Sequence, residues 1–204
     1  MLTLSEIQQV TNIHRIPKSV HCNRGILFDY TLVRALTAPT EKDITYDFDI
    51  FLPKYGINLQ RPYVWNKTQQ CEFILSILLE KPIDDIVVVQ HIHDFQRDVV
   101  TNFIIDGKQR LLTIKKFVEG EFPITVKGVE YYYKNFSKDL QRFFTSRANS
   151  LTATVYYSYE DTPVDDDMKI ILFNFYNFAG TPQTQEHKDR LQQLYDKNNK
   201  PCTT

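Results

Sequence analysis

The spacing of apolar side chains along the chain predicts its elements. Cys71, Ile74, Leu75 and Leu78 fall at i, i+3, i+4 and i+7, the stripe of an amphipathic helix, and Asn66 stands ahead of them as an N-cap. Pro82 lies just past that helix. Residues 85–91 and 102–105 are short apolar runs that predict strands, with the polar stretch 91–100 as the loop between them. A helical pattern begins directly after Gly107, carries Leu111, Leu112, Ile114 and Phe117, and stops at Gly120. Residues 122–133 are β-like with a turn at Gly128, 138–147 are helical, and 151–159 alternate as a strand. Thr162-Pro163 predicts a helix start, with the helix running over 164–178 to Gly180. Asp165, Asp166 and Asp167 fall in its first turn, where the helix dipole favours carboxylates. Residues 186–198 predict a last helix, and 201–204 a frayed end. Nearer the N-terminus, 4–10 predicts a short helix, 25–33 a strand or short buried helix, and 50–60 a strand broken by Pro53 and Gly56. Residues 37–49 are polar and loop-like. Together these elements predict an α+β fold, a small mixed sheet packed against helices. Residues 1–50 read as an N-terminal extension and 51–204 as the main domain.

The junction at Asp106-Gly107 carries the most chemistry. An apolar run meets Asp-Gly and turns straight into a helix. The N–H groups at a helix start lack partners and carry partial positive charge, so they attract anions. Lys108 and Arg110 add two cations there, one of them a planar fork suited to phosphate. Cations oppose the dipole at this end, which calls for an anionic partner. Gly107 removes a Cβ that would obstruct close approach of a ligand to the backbone. This is not a P-loop, because the spaced glycines and the Lys-Ser/Thr pair are missing. The bland reading of Asp106 is an ordinary turn residue, and that of Arg110 a surface ion pair.

Composition narrows the classes. A 204-residue chain with 42% hydrophobic residues builds one domain, or one with a small appendage. The net charge of −1 gives no global basic field, so any nucleic-acid contact rests on a local patch. One such patch is Tyr131, Tyr132 and Tyr133 with Lys127, Lys134, Lys138, Arg142 and Arg147; a solvated surface is the bland alternative. Cys22, Cys71 and Cys202 have no metal-ligand spacing and read as reduced and cytoplasmic. No signal peptide is visible, and no apolar run approaches the ~20 residues of a membrane span. His91 and His93 alternate along a predicted strand and share a face, without an evident third metal ligand.

Three segments carry a resemblance to a known family. They are Gln60-Arg61-Pro62-Tyr63-Val64-Trp65, then Asp106-Gly107-Lys108-Gln109-Arg110, then Phe173-Asn174-Phe175-Tyr176-Asn177-Phe178-Ala179-Gly180-Thr181. In order and spacing, over roughly 55–190, they resemble the N-terminal domain of GmrSD-type modification-dependent restriction enzymes, of the ParB/sulfiredoxin-like superfamily. The family's middle motif usually reads Asp-Gly-Gln-Gln-Arg, so Lys108 replaces its first Gln. The family's HNH-type nuclease half has no counterpart after Thr181. The resemblance implies a domain that binds, and hydrolyses, a nucleoside triphosphate in phage–bacterium conflict. Carried over by position, Gln60 and Arg61 form one wall of the pocket. Asp106, Gly107, Gln109 and Arg110 form its phosphate turn, and Asn177 faces the same pocket.

The expected roles follow. Arg110, Lys108 and the Gly107 backbone grip phosphates, Asp106 holds Mg²⁺ or positions water, and Arg61 stabilises developing charge. The alternatives are a non-catalytic module that binds nucleotide or DNA to control a partner nuclease or defence protein, and an antagonist of such a nuclease. The chain is not expected to cut DNA by itself. Trp65 and Tyr63 either stack on a base or, more commonly for such residues, belong to the core.

Overall fold

The computed structural model describes residues 22–28, 32–37, 44–94, 99–159 and 161–177. The helices expected at 4–10 and 186–198, the stop at Gly180 and Cys202 lie outside the described residues. A mixed five-stranded sheet organises the rest, in the order β1-β9-β5-β6-β2. Its strands are β1 (Cys22–Leu27), β2 (Ile44–Asp47), β5 (Ile86–Asp94), β6 (Val99–Asp106) and β9 (Thr152–Tyr159). β5 pairs antiparallel with β6 and parallel with β9, β2 runs parallel to β6, and β1 runs antiparallel to β9. The architecture is the α+β arrangement the sequence predicts.

Side-chain alternation divides the core between the two sheet faces. Ile86 and Val88 of β5, Ile104 of β6, and Ala153 and Val155 of β9 join the larger cluster. Four helices complete it: α1 (Leu32–Thr37), α2 (Lys67–Leu78), α3 (Lys108–Val118) and α4 (Lys138–Asn149). Val87, Val89, Ile105 and Tyr156 point the other way. They meet α5 (Asp166–Asn177) and the small β3 (Phe51–Leu52)–β4 (Ile57–Asn58) hairpin. A second hairpin, β7 (Ile124–Val126) with β8 (Val129–Tyr131), turns at Gly128 as the pattern predicts.

Asn66 caps α2 in a capping box with Gln69. The buried face of α2 centres on Phe73, Ile74 and Ile77, with Cys71, Leu75 and Leu78 packed on its flanks.

Three expectations change. The described residues of 91–100 are strand rather than loop: β5 continues to Asp94 and β6 begins at Val99. β5 has a neighbour on each side, His91 pairing with Thr101 and with Ser158, so ladder hydrogen bonds outweigh the polar composition. The cap of α5 is Asp165 rather than Thr162-Pro163; its carboxylate accepts from the Met168 N–H at 2.8 Å. Residues 22–50, read as part of an extension, share the sheet and core over their described part. β1 and β2 are the sheet's edges, and Leu32, Val33 and Leu36 are buried in the larger cluster.

Candidate functional site

β6 delivers Asp106 to the end of the sheet, and the chain reverses at once into α3. Gly107 makes the reversal with φ at +103°, a left-handed conformation that side chains rarely adopt. A Cβ there would stand 2.6 Å from Ile86 Cδ1. The left-handed backbone and the close packing of the turn on β5 therefore both call for glycine here.

No side chain caps α3, and its first intrahelical bond is from the Leu111 N–H to the Gly107 carbonyl at 2.9 Å. The N–H groups of Lys108, Gln109 and Arg110 thus have no helical acceptor. These three residues border a cavity of about 360 Å³. The residues expected from the sequence meet in it: Gln60, Arg61, Asp106, Gly107, Lys108, Gln109, Arg110 and Asn177 all contribute to its lining. Trp65, Phe73, Pro82, Ile83 and Tyr176 supply an apolar side that motif reasoning largely missed.

The side chains divide by what they already hold. Gln109 spends its amide on the incoming loop: Oε1 accepts from the N–H groups of Val64 (2.9 Å) and Trp65 (3.3 Å), and Nε2 donates to the Pro62 carbonyl (3.2 Å). Gln60 Nε2 donates to the carbonyls of Ile104 (2.5 Å) and Ile105 (2.9 Å). The two glutamines staple the 60–65 loop to β6 and α3. Asn177 Nδ2 donates to the Ile105 carbonyl at 3.2 Å and to the Phe173 carbonyl at 2.9 Å. It therefore sits one residue before Asp106, on an acceptor shared with Gln60. Asn174, on the same helix face by spacing, does not line the cavity.

The cations differ in the same way. Lys108 is buried, its side chain 7% exposed, and Nζ pairs with Asp49 at 2.7 Å. Arg110 pairs with Asp106 at 2.8 Å and donates to the carbonyls of Asp84 and, at 3.1 Å, Asp85. Protein anions therefore already answer the two cations at the helix start. Arg61, half-buried on the wall, makes no hydrogen bond or ion pair with any described residue. Asp84 and Asp106 are the carboxylates of the lining. Among the described residues no three His, Cys, Asp or Glu side chains group as a metal site.

Aromatic side chains stiffen the walls. The Trp65 ring stands edge-on to Phe73 at 5.4 Å and packs on the core. Tyr63 hydroxyl shares a 2.8 Å hydrogen bond with Thr113, and burial pushes its pKa up. Tyr176 is held by the Tyr156 hydroxyl at 2.7 Å. Burial, and then the Tyr176 hydrogen bond, push the Tyr156 phenol up strongly. Elsewhere, the His91 and His93 rings do share a face, 4.4 Å apart.

An uncapped helix start, a strand-end aspartate and a loop bearing Gln-Arg meet around the cavity of a small α+β domain. Residues 41–201 match the family model described as the GmrSD restriction endonuclease, N-terminal domain, and the chain belongs to that family. Membership implies a role in restriction and defence against phage. No curated protein and no solved structure matches the chain. No helix among the described residues is long and apolar enough to cross a membrane.

Proposed function

We propose that the cavity binds a nucleoside triphosphate and, with Mg²⁺, hydrolyses it, in the service of DNA restriction. The carrying observation is the uncapped start of α3 facing a cavity whose wall holds an arginine with no partner among the described residues. The volume lies within the usual range for small-ligand sites. Phosphate oxygens accept from the N–H groups of Lys108, Gln109 and Arg110, and Arg61 closes on the charge that develops at the transferred phosphoryl group. Trp65 and Tyr176 offer apolar faces to the base.

The donor set suits Mg²⁺, which is commonly held by one or two carboxylates together with substrate phosphates. Asp106 gives one oxygen to Arg110 and keeps the other, and Asp84 lies on the same lining. The ion would supply charge neutralisation at the phosphates, while Asp106 orients the attacking water.

A thermal-shift panel of ribonucleoside triphosphates tests binding, since a ligand of the native state raises Tm. Wild type should gain stability with at least one triphosphate, and Arg61→Ala should lose that gain. No shift with any triphosphate, with or without Mg²⁺, would overturn the reading. A non-catalytic module is the second reading. It is favoured by the closed Asp106–Arg110 pair, which ties the expected catalytic carboxylate to its neighbour. Nucleotide binding without phosphate release in Mg²⁺ or Mn²⁺ would select it.

A further inference from the structure

A second groove, of about 410 Å³, lies along α4 and shares no lining residue with the cavity above. Lys138, Arg142, Thr145, Ser146 and Asn149 line it beside Tyr133. Lys138, Arg142 and Ser146 are four residues apart and exposed, so they form one stripe with a step of about 6 Å along the helix axis. No carboxylate lines the groove. Lys138 has no ion pair among the described residues. Arg142 meets Asp139 at 3.4 Å, with side chains 80% and 93% exposed, a pair weak enough to exchange.

The segment that carries this groove is cationic in a chain that is not. Residues 127–147 carry Lys127, Lys134, Lys138, Arg142 and Arg147 against Glu130 and Asp139, with Arg147 paired to Glu80 at 3.2 Å, whereas the whole chain carries −1. Lys127 sits at the tip of the β7–β8 hairpin, beside the exposed Val126 and Val129. A solvated helix face does not require such segregation of charge. Two cations one helical turn apart, with neutral hydroxyl and amide groups beside them, suit a polymer with a negative charge at each unit and hydrogen-bond acceptors around it. We infer that this face of α4 binds the phosphodiester backbone of DNA without reading its sequence. The site is independent of the nucleotide cavity.

Fluorescence anisotropy with a short labelled DNA duplex, between about 50 and 200 mM salt, tests it. Wild type should bind with an affinity that falls with salt. K138Q/R142Q should bind about ten-fold more weakly or worse, with the log–log salt slope smaller in magnitude by about two, one for each cation removed from a phosphate. K138R/R142K should retain binding. Nucleotide-induced thermal shifts should be the same in all three proteins, which separates failure here from failure of the cavity reading. Equal affinity and slope in K138Q/R142Q would overturn the proposal. So would competition by polyglutamate as effective as unlabelled DNA, which would assign the face to an acidic protein.

Discussion

Arg61 and Arg110 lie in the same cavity, yet their substitutions should read differently. Arg110 satisfies the carbonyls of Asp84 and Asp85 and the Asp106 carboxylate, so Arg110→Ala leaves acceptors without a donor. It should cost about 1–3 kcal/mol, measured by urea denaturation, before any ligand is added. Arg110→Lys should restore only part of that, because the guanidinium fork is lost. Arg61 has no partner among the described residues, so Arg61→Ala should change stability by less than about 0.5 kcal/mol and lower triphosphate affinity about ten-fold or more. Comparable losses of stability in both variants would show that Arg61 is structural. Gly107→Ala combines a left-handed φ with a Cβ 2.6 Å from Ile86 Cδ1 and should destabilise by about 1–3 kcal/mol. A melting temperature equal to wild type would contradict that packing.

The two ends of α5 dock by different means. At its start Asp167 pairs with Lys54 at 2.6 Å and accepts from the Tyr55 hydroxyl, fixing the β3–β4 hairpin to the helix. Burial alone would raise the Asp167 pKa, but the hydrogen bonds from Lys54 and Tyr55 outweigh it and hold the carboxyl below the usual aspartate range. A depressed carboxyl pKa stabilises the fold at pH above its unfolded value, and the contribution is lost as pH falls through the folded value. Wild type should therefore lose urea resistance on acidification towards about pH 3 by more than Asp167→Asn does. Parallel acid limbs in the two proteins would refute this. At the other end, Asn177 shares the Ile105 carbonyl with Gln60. In Asn177→Ala the carbonyl keeps Gln60, so stability should fall by no more than about 1 kcal/mol. Triphosphate affinity, read by calorimetry, should fall further if the amide faces the ligand.

At the scale of the molecule, the start of the family match at residue 41 is not the start of the fold. β1 pairs with β9 along the sheet edge, and α1 buries Leu32, Val33 and Leu36 against α3 and α4. Loss of three such side chains removes several kcal/mol from a total that is commonly only about 5–15 kcal/mol. A chain beginning at residue 41 should lose its cooperative thermal transition by circular dichroism. Retention of a sharp transition near the full-length Tm would show that β1 and α1 are dispensable. Leu36→Ala in the full chain is a milder probe and should cost about 2–5 kcal/mol.

The sequence by itself determined what neighbours in the chain can encode. The Asn66 cap, the Gly128 turn and the strand-to-helix reversal at Asp106-Gly107 follow from local hydrogen-bond geometry and backbone freedom. The α+β character follows from periodicity, which is likewise local. Partners distant in sequence were decided only by the tertiary structure. The pairing of residues 22–27 with β9, and the extension of β5 through His91, depend on which edges the topology leaves open. Charge roles moved most. Lys108 and Arg110 looked like the free cations, but Asp49 lies 2.7 Å from the one, and Asp106 with the Asp84 and Asp85 carbonyls occupies the other. Arg61 is left to face the cavity. A side chain's type fixes which bonds it can make, whereas the fold fixes which of them are already made, and a site is built from what remains.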